Sequence, residues 1–352
     1  MSRALVRRWV AGVGYGLGVT QAITRAGDRW QVIRRGRFSI GPRQQTPFLV
    51  LLYHRVNRRP GTFSIERTTP ESFRGQMTYL ARNFHVMALA EIVRRVEAGE
   101  PLPPRVVAVT FDDGYEDNYT DAFPILHELG LPATIFLTTG CIGTGTSLWY
   151  DRVICAFEHT SKRRVSLPGA EDATGLNDPR TRAREATRAL YALMRLSNEE
   201  RLKAQERLID ELGGTGDGSS LPAMLTWEQV RVMAVGGIDF GAHTVSHPIL
   251  TRLPTREAER EMTESRKAIE ERLGRAVDLF AYPVGRRSEY SQEVVDAVAR
   301  SGFRAALTTD AGTNLPGDDM LLLRRLKPLG EDVPSFALGL GAQYLSEWRA
   351  AG

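Results

Sequence analysis

Short apolar runs alternate with amphipathic stretches along most of this chain. The apolar runs are rich in β-branched and aromatic side chains and predict buried strands at 47–53, 105–111, 133–138, 237–241, 277–282 and 304–308. The stretches between them repeat apolar positions at helical spacing, as over 70–82, 89–99, 119–130 and 255–273. This alternation indicates an α/β fold on a parallel sheet, either a barrel or a doubly wound sheet.

Local capping signals predict several helix ends. Pro70 suits the first turn of a helix, and Gly130 and Gly274 suit the residue just beyond a helix end. Residues 197–200 and 226–229 each match a capping box, in which Ser or Thr precedes Glu or Gln by three positions. The strand–helix alternation breaks at about 156–222, so we predict a helical insertion within one domain that covers residues 46–352.

The first 45 residues have a different composition. Residues 1–43 contain nine arginines and one aspartate, although the whole chain has a net charge of only +4. Apolar residues such as Leu5, Trp9 and Val13 predict a basic amphipathic helix that lies on an anionic membrane surface. The segment is too short and too often interrupted by glycine to predict a transmembrane span, and packing on the barrel or a solvated tail are the alternatives.

Composition excludes several classes of protein. Apolar residues make up 42% of the chain and charged residues 25%, which is typical of a globular enzyme. The two cysteines, Cys141 and Cys155, provide neither a disulfide framework nor a cysteine metal site. The basic residues lack a nucleic-acid recognition motif. We expect a cytoplasmic protein, peripheral at the inner face of the membrane, because no clear cleavage site follows the basic start. Secretion is the alternative, since basic residues precede an apolar stretch as they do in a signal peptide.

Two adjacent carboxylates follow one predicted strand. Asp112 and Asp113 come directly after the apolar run 106–109 and Thr110-Phe111, and Gly114 follows them. Carboxylates at the end of a buried strand are costly unless they have a function. Because side chains alternate along a strand, one carboxylate can bind a cation while its neighbour moves protons.

Two histidines complete a possible metal site. His243 and His247 are four residues apart, a spacing that puts both imidazoles on one face of a helical turn. Pro248 disfavours a helix at His247, so a strand end that runs into a turn is equally consistent with the sequence. Two imidazoles and one carboxylate suit Zn²⁺ or a similar divalent ion with an open position for water. Each histidine could otherwise be a hydrogen-bonded loop residue.

Three segments together resemble the polysaccharide deacetylase (NodB-homology) family, carbohydrate esterase family 4. They are Thr110-Phe111-Asp112-Asp113-Gly114, the stretch His243 to Pro248, and Phe280-Ala281-Tyr282-Pro283 with the following Val-Gly. The resemblance covers roughly residues 46–330 and implies a distorted (β/α)7 barrel. It also implies that Asp112 is the general base and that Asp113, His243 and His247 bind one divalent ion, Zn²⁺ first, with Co²⁺ or Ni²⁺ as alternatives.

The chain departs from the family pattern at two positions. No histidine follows His247, where the family's catalytic acid normally lies, but His54 ends the first apolar run. This order is similar to the circularly permuted poly-N-acetylglucosamine deacetylase branch, which implies that His54 is the general acid. The alternative is a histidine that caps a core strand. Ala281 occupies the place of an arginine that orients the base, and the possible substitutes are Arg286, Arg287, Arg324 and Arg325.

The expected function is metal-dependent removal of N-acetyl groups from N-acetylglucosamine-type sugars of a polysaccharide or glycoconjugate. Trp149 lies in an aromatic segment suited to pack on sugar rings, although such residues more often pack in cores. Substrate contacts are assigned to Tyr115, Tyr282, Pro283, Trp149 and Arg324. The alternatives are a metal hydrolase of another amide or an O-acetyl ester, and a membrane-associated glycan-binding protein with a degenerate site.

Overall fold

A curved parallel sheet surrounded by helices forms the centre of the molecule. The computed structural model describes residues 46–58, 67–215 and 220–350. The strands, in chain order, are β1 (Phe48–Tyr53), β2 (Arg55–Val56), β3 (Arg67–Thr68), β4 (His85–Val86), β5 (Val106–Phe111), β6 (Ala133–Leu137), β7 (Arg164–Val165), β8 (Thr174–Gly175), β9 (Ile238–Ala242), β10 (Leu279–Ala281) and β11 (Ala305–Leu307). The α-helices are α1 (Pro70–Asn83), α2 (Leu89–Glu97), α3 (Phe123–Leu129), α4 (Trp149–His159), α5 (Pro179–Met194), α6 (Asn198–Leu212), α7 (Trp227–Val235), α8 (Thr255–Leu273), α9 (Gln292–Arg300) and α10 (Val333–Ala350).

The main sheet follows the order β1-β5-β6-β9-β10-β11, and β4 pairs beside β5. All of these pairings are parallel. The six predicted strands are therefore confirmed. Those predicted at 277–282 and 304–308 are shorter than expected. Pro283 follows the first of them, and its missing N–H prevents further ladder hydrogen bonds there.

An extended segment, residues 323–326, connects the two edges of the sheet. Leu323 donates its N–H to Ala306 O at 2.9 Å beside β11, and Leu326 donates its N–H to Val50 O at 2.8 Å in β1. Both ends of the segment form parallel bridges, to Leu307 and to Leu51. The sheet therefore closes into an irregular barrel of the predicted (β/α)7 type, because this segment takes the place of a regular seventh strand.

The helix ends follow the predicted signals, with one departure. Both capping boxes form, at Ser197 with Glu200 and at Thr226 with Gln229. The helix predicted over 119–130 instead begins with a π-helical turn, Asn118–Ala122, and continues as α3 to Leu129. Pro124 cannot donate the hydrogen bond that a regular α-helical turn needs at this position, so the wider turn relieves the conflict.

Helices α4, α5 and α6 form the inserted part between β6 and α7. They share an apolar cluster that also contains Ile249, a barrel-loop residue, at its edge. The first inserted helix begins at Trp149, seven residues before the predicted start of the insertion. Between α4 and α5 the chain forms a short antiparallel hairpin of β7 and β8. The insertion therefore packs against the barrel through side chains next to the strand ends.

The predicted basic helix of residues 1–45 lies outside the described residues. Within 46–58, 67–215 and 220–350, no helix has the length and hydrophobicity needed to span a bilayer.

Candidate active site

The polar residues selected from the sequence meet at one edge of the barrel. Asp112 and Asp113 follow β5, His243 follows β9, and His54 follows β1. The carboxyl ends of parallel strands in a barrel all lie at the same edge, which is where such folds build their sites. Residues far apart in sequence therefore share one site.

Asp113, His243 and His247 form a compact group of potential metal ligands. Oδ1 of Asp113 lies 3.6 Å from Nε2 of His243 and 3.6 Å from Nε2 of His247. One ligand atom from each residue lies within 4.8 Å of the others, and all three side chains are buried. The predicted ligands are thus brought together with their donor atoms facing a common point.

The orientation and charge of the histidines suit a divalent ion. Nδ1 of His243 lies 2.7 Å from the carbonyl oxygen of Ala281, so a proton on Nδ1 leaves Nε2 with its lone pair toward Asp113. Burial lowers the pKa of His243 to about 4, despite the opposing charge of Asp112. Burial and the neighbouring His243 also keep the pKa of His247 well below its ordinary value. Two neutral imidazoles and a carboxylate are a donor set that fits zinc or a similar ion.

The histidine segment is a tight turn rather than a helical turn. Thr244 and His247 have φ angles of 67° and 54°, and the Thr244 hydroxyl accepts the His247 N–H at 3.0 Å. Glu261 of α8 accepts the N–H groups of Val245 and Ser246 at 2.8 and 2.9 Å. The strand-end alternative is therefore correct, and Glu261, which the sequence reasoning missed, positions the loop. Its place in a highly charged helix offers no signal that separates it from surface glutamates.

Unfavourable backbone angles concentrate at this site. Among the described residues, five that are not glycine have positive φ, and four of these are Asp113, Thr244, His247 and Val284. Positive φ is uncommon outside glycine, and most of all for a β-branched residue such as Val284. Such conformations persist only where the surrounding structure imposes them, and they cluster at functional sites.

Arg325 holds the Asp112 carboxylate. Its two terminal nitrogens donate to the two Asp112 oxygens at 2.7 Å each, and its Nε donates to Thr308 O at 2.8 Å. Arg325 is only 1% exposed. Burial by itself would raise the pKa of Asp112, but the Arg325 charge, helped by His243, lowers it below the ordinary value. Asp112 is therefore an ionised, firmly oriented carboxylate.

Arg324 and Arg325 lie on opposite faces of residues 323–326, the barrel-closing segment. Arg325 faces the site, whereas Arg324 is exposed and its backbone N–H and carbonyl bond to Asn314. Neighbouring residues on an extended segment point in opposite directions, so only one can face the barrel. Arg324, assigned from the sequence to substrate contact, lies outside the cavity lining, and Arg325 is the arginine that orients Asp112.

A cavity of about 170 Å³ lies over these residues. Its lining contains His54, Asp112, Trp149, Tyr150, Leu190, Met194, His243, His247, Val284, Arg286, Thr309 and Lys327. Of the residues assigned to substrate contact, Trp149 lines the cavity, but Tyr115, Tyr282 and Pro283 do not. Tyr115 is buried and donates to Asp151 at 2.9 Å, and Tyr282 donates to Leu321 O at 2.9 Å.

His54 lines the same cavity as Asp112, His243 and His247. Its carbonyl oxygen accepts a hydrogen bond from Asn118 Nδ2 at 2.9 Å, which fixes the backbone where β1 ends. Its charge contributes to lowering the pKa of both Asp112 and His243, so its imidazole is within electrostatic reach of both. His54, which follows β1, and the two histidines after β9 therefore share one site.

The first turn of α4 contacts two of the potential metal ligands. Tyr150 donates its hydroxyl proton to Oδ2 of Asp113 at 2.7 Å, and Trp149 Nε1 donates to the carbonyl oxygen of His247 at 3.0 Å. The next residue, Asp151, accepts from Tyr115, and burial raises the pKa of Asp151 to about 7. The sequence pointed to these aromatics only as a groove wall, but they also hold Asp113 and His247 in place.

We expect Tyr150→Phe to weaken metal binding. The change removes the donor that engages Oδ2 of Asp113 while Oδ1 faces the histidines. Loss of an outer-shell hydrogen bond typically costs about 10–100-fold in metal affinity or activity. Competition with a chromophoric chelator measures this affinity directly. Tyr119→Phe, which removes a hydroxyl outside the cavity, is the matched control. Unchanged affinity in Tyr150→Phe would show that this hydrogen bond is incidental.

Comparison with known proteins finds a matching family. The sequence profile of the family described as polysaccharide deacetylase matches residues 99–306. The match includes Asp112, Asp113, His243 and His247, whereas His54 and Arg325 lie beyond its ends.

Individual relatives have low sequence identity to this chain. The polysaccharide deacetylase homologue YxkH of Bacillus subtilis (strain 168) is 23% identical over 279 residues, 79% of this chain and 70% of that protein. The poly-β-1,6-N-acetyl-D-glucosamine N-deacetylase of Staphylococcus epidermidis (strain ATCC 35984) is 33% identical over 109 residues, which are 27% of this chain and 37% of that protein.

The fold is also similar to that of solved structures. The Streptococcus pyogenes deacetylase PplD, solved in complex with acetate, superposes with a TM-score of 0.57 at 21% identity. The similarity covers 84% of this chain and 98% of PplD. Because the family profile covers more than half of the sequence, this chain belongs to the polysaccharide deacetylase family.

Proposed function

We propose that this protein is a metal-dependent hydrolase that removes N-acetyl groups from N-acetylglucosamine-type sugars of a polysaccharide or glycoconjugate. The observation that carries the proposal is the buried group of Asp113, His243 and His247 beside an arginine-held Asp112 in one cavity. The sugar is inferred from relatives named as poly-β-1,6-N-acetyl-D-glucosamine N-deacetylases. This chain spans only 15% and 37% of two of those proteins, so the substrate belongs to the proposal.

Asp113, His243 and His247 would hold the ion, with Zn²⁺ as the first choice and Co²⁺ or Ni²⁺ as alternatives. A bound divalent ion polarises a carbonyl and lowers the pKa of water. Asp112 accepts the proton of the attacking water. Both of its oxygens bond to Arg325, but each carboxylate oxygen has a second lone pair for this step. The Arg325 contact also prevents the carboxylate from rotating toward the histidines.

His54 completes the reaction by protonating the departing nitrogen. An amine is a poor leaving group unless it receives a proton, and a histidine in the cavity lining can provide one. The products are acetate and a glucosamine-type sugar. Against the alternative of a membrane-associated glycan-binding protein with a degenerate site, Arg325 contacts Asp112 where Ala281 has no side chain to do so.

Acetate release from defined substrates tests the proposal. The panel contains N-acetylglucosamine polymers, short oligomers, lipid-linked N-acetyl sugars, an O-acetyl ester and a non-carbohydrate acetamide. We expect the N-acetyl sugars to be the best substrates and the protein to require a divalent ion. Faster release from the O-acetyl ester or from the plain acetamide would replace the proposal with the alternative hydrolase functions.

We expect His54→Ala to separate amides from activated esters. Hydrolysis of an N-acetyl sugar should slow by about 10²-fold or more, because the amine then leaves without proton donation. An aryl acetate should lose far less, since its leaving group needs little assistance. Metal content, measured on the same samples, should be unchanged. Equal losses on both substrates would mean that another residue is the acid.

We also propose that residues 1–43 bind an anionic membrane surface from the cytoplasmic side. Their nine arginines and their apolar residues at helical spacing support this proposal. The segment lies outside the described residues. We expect the full chain to sediment with vesicles that contain phosphatidylserine and to be released by high salt. A chain with glutamine in place of the arginines at positions 3, 7 and 8 should bind less. Equal sedimentation with neutral vesicles would contradict an electrostatic contact.

A further inference from the structure

The cavity wall that the insertion provides continues onto the protein surface. Leu190 and Met194 of α5 line the cavity, and they lie one helical turn apart on the same face of this helix. Both pack against the apolar cluster of the insertion, which fixes their positions. Tyr191 lies between them in sequence, outside the cavity lining, and is 50% exposed. The surface of α5 beside the cavity therefore extends outward to an exposed aromatic ring.

Tyr191 is distinguished from an ordinary exposed side chain by its contact with Arg286. Single apolar side chains are common on protein surfaces and need no explanation. Arg286, however, lines the cavity from the barrel loop after β10. Its Nη1 donates to the Tyr191 hydroxyl at 3.3 Å, and its guanidinium carbon lies 5.7 Å from the centre of the Tyr191 ring. The contact joins the insertion to the barrel and restricts both side chains, so a ligand that binds them loses less conformational entropy.

Tyr191 and Arg286 offer the two kinds of contact that bind a sugar ring. The Tyr191 ring is an apolar surface for the C–H groups of a sugar, and it stays half-exposed with Arg286 against it. A guanidinium carries several N–H donors, and within the described residues Arg286 donates one hydrogen bond, to Tyr191. Its other donors can bond to sugar hydroxyl groups. Ligand sites typically combine such an apolar or aromatic wall with a few placed polar groups.

The size of the cavity places the rest of a glycan outside it. Its volume is about 170 Å³, whereas pockets that enclose a whole small ligand typically measure about 300–1,000 Å³. The N-acetyl group enters this cavity to reach Asp112, so a second sugar linked to the reacting one lies beyond the mouth. Arg286 both lines the cavity and is exposed, which puts it and Tyr191 at that mouth.

We propose that Tyr191 and Arg286 form a subsite for the sugar linked to the one that carries the reacting N-acetyl group. The Tyr191 ring packs on the apolar face of this second sugar, and Arg286 donates to its hydroxyl groups. The inference rests on the proposed function and narrows its substrate class to glycans of two or more sugars, in preference to single N-acetyl sugars.

Binding measurements test the subsite independently of turnover. The full chain is stripped of metal with chelator, so that the sugars stay intact during the measurement. Ligand-observed NMR then gives Kd for N-acetylglucosamine and for its β-1,4-linked and β-1,6-linked disaccharides. We expect at least one disaccharide to bind about tenfold more tightly than the monosaccharide, because it adds a stacked ring and hydrogen bonds to a charged donor. The two disaccharides show which linkage directs the second sugar toward Tyr191.

Variants assign the advantage of the disaccharide to the two side chains. We expect Tyr191→Ala to reduce it to about twofold or less with little change in Kd for the monosaccharide, and Tyr191→Phe to keep most of it, because the ring remains. Arg286→Ala should reduce the advantage as well. The matched controls are Leu202→Ala, at an exposed position of the same insertion, and Arg287→Ala, both outside the cavity lining. Exposed positions should tolerate these changes, and thermal unfolding of each variant verifies this.

The outcomes separate this subsite from the proposed function. If neither disaccharide binds more tightly than N-acetylglucosamine, or if no sugar binds measurably, the subsite does not exist. An advantage that survives Tyr191→Ala or Arg286→Ala undiminished would also overturn it. An advantage that depends on Tyr191 and Arg286, without acetate release from any substrate, would retain the subsite and refute the hydrolase. Acetate release from N-acetyl sugars without the advantage would do the reverse.

Discussion

Replacing His243 with alanine is expected to reduce acetate release to background and to remove most of the bound metal. The side chain is one of three potential ligands whose donor atoms face a common point, and alanine supplies no donor atom in its place. Treatment of the unmodified protein with chelator should have the same effect on activity. Zinc or cobalt should restore activity to the stripped protein but not to the variant.

Metal analysis by mass spectrometry, together with acetate release, checks this prediction. His85→Ala is the matched control, because His85 is exposed and lies outside the cavity lining. His243→Ala should fold normally, which its thermal unfolding would establish. If the variant kept full metal content and full activity, the ligand assignment would be wrong. If metal remained but activity fell, His243 would act in the reaction by some route other than metal binding.

Replacing Asp112 with asparagine is expected to lower kcat by about 10²–10⁴-fold while the metal stays bound. Asparagine has the shape of aspartate and can still accept one hydrogen bond from Arg325, but its amide cannot take a proton from water. Asp113→Asn should behave differently and lose metal affinity, since Oδ1 of Asp113 faces both histidines. The pair of variants therefore separates the two adjacent carboxylates.

Stability must be measured with activity, because Asp112 neutralises a buried arginine. Removing one partner of a buried ion pair typically destabilises a protein by about 3–5 kcal/mol. Urea unfolding of Asp112→Asn would show whether loss of activity follows loss of the fold. A folded Asp112→Asn variant that keeps its metal and retains full kcat would show that Asp112 is not the base. Equal metal loss in both variants would contradict the division of roles.

Much of the fold was predictable because its signals are local. The six predicted strands appear as short apolar runs, unlike the two-residue strands, and the capping boxes at 197–200 and 226–229 involve residues only three apart. The π-helical turn before α3 was missed, because the apolar spacing does not show how the helix adapts to the N–H that Pro124 lacks. The barrel-closing segment was missed as well, since residues 323–326 pair irregularly with two distant strands.

The sequence by itself determined the chemistry of the site. Two adjacent carboxylates after one strand and two histidines after another are unusual enough in composition and position to predict a metal site, whereas His54 was assigned through the resemblance to the permuted branch of the family. Parallel strands bring their carboxyl ends to one edge, so residues more than a hundred positions apart were expected to meet. Asp113, His243 and His247 do meet.

Only the tertiary structure decided which neighbours hold those residues. Arg324 and Arg325 are equivalent in sequence, and the direction of an extended segment that pairs with both sheet edges turns Arg325 alone toward Asp112. Tyr150 reaches Asp113 because the insertion packs over the strand ends, and Glu261 reaches the histidine turn from a separate helix. These contacts join segments with no local relation in sequence. Their partners are set by packing, which no periodicity or spacing encodes.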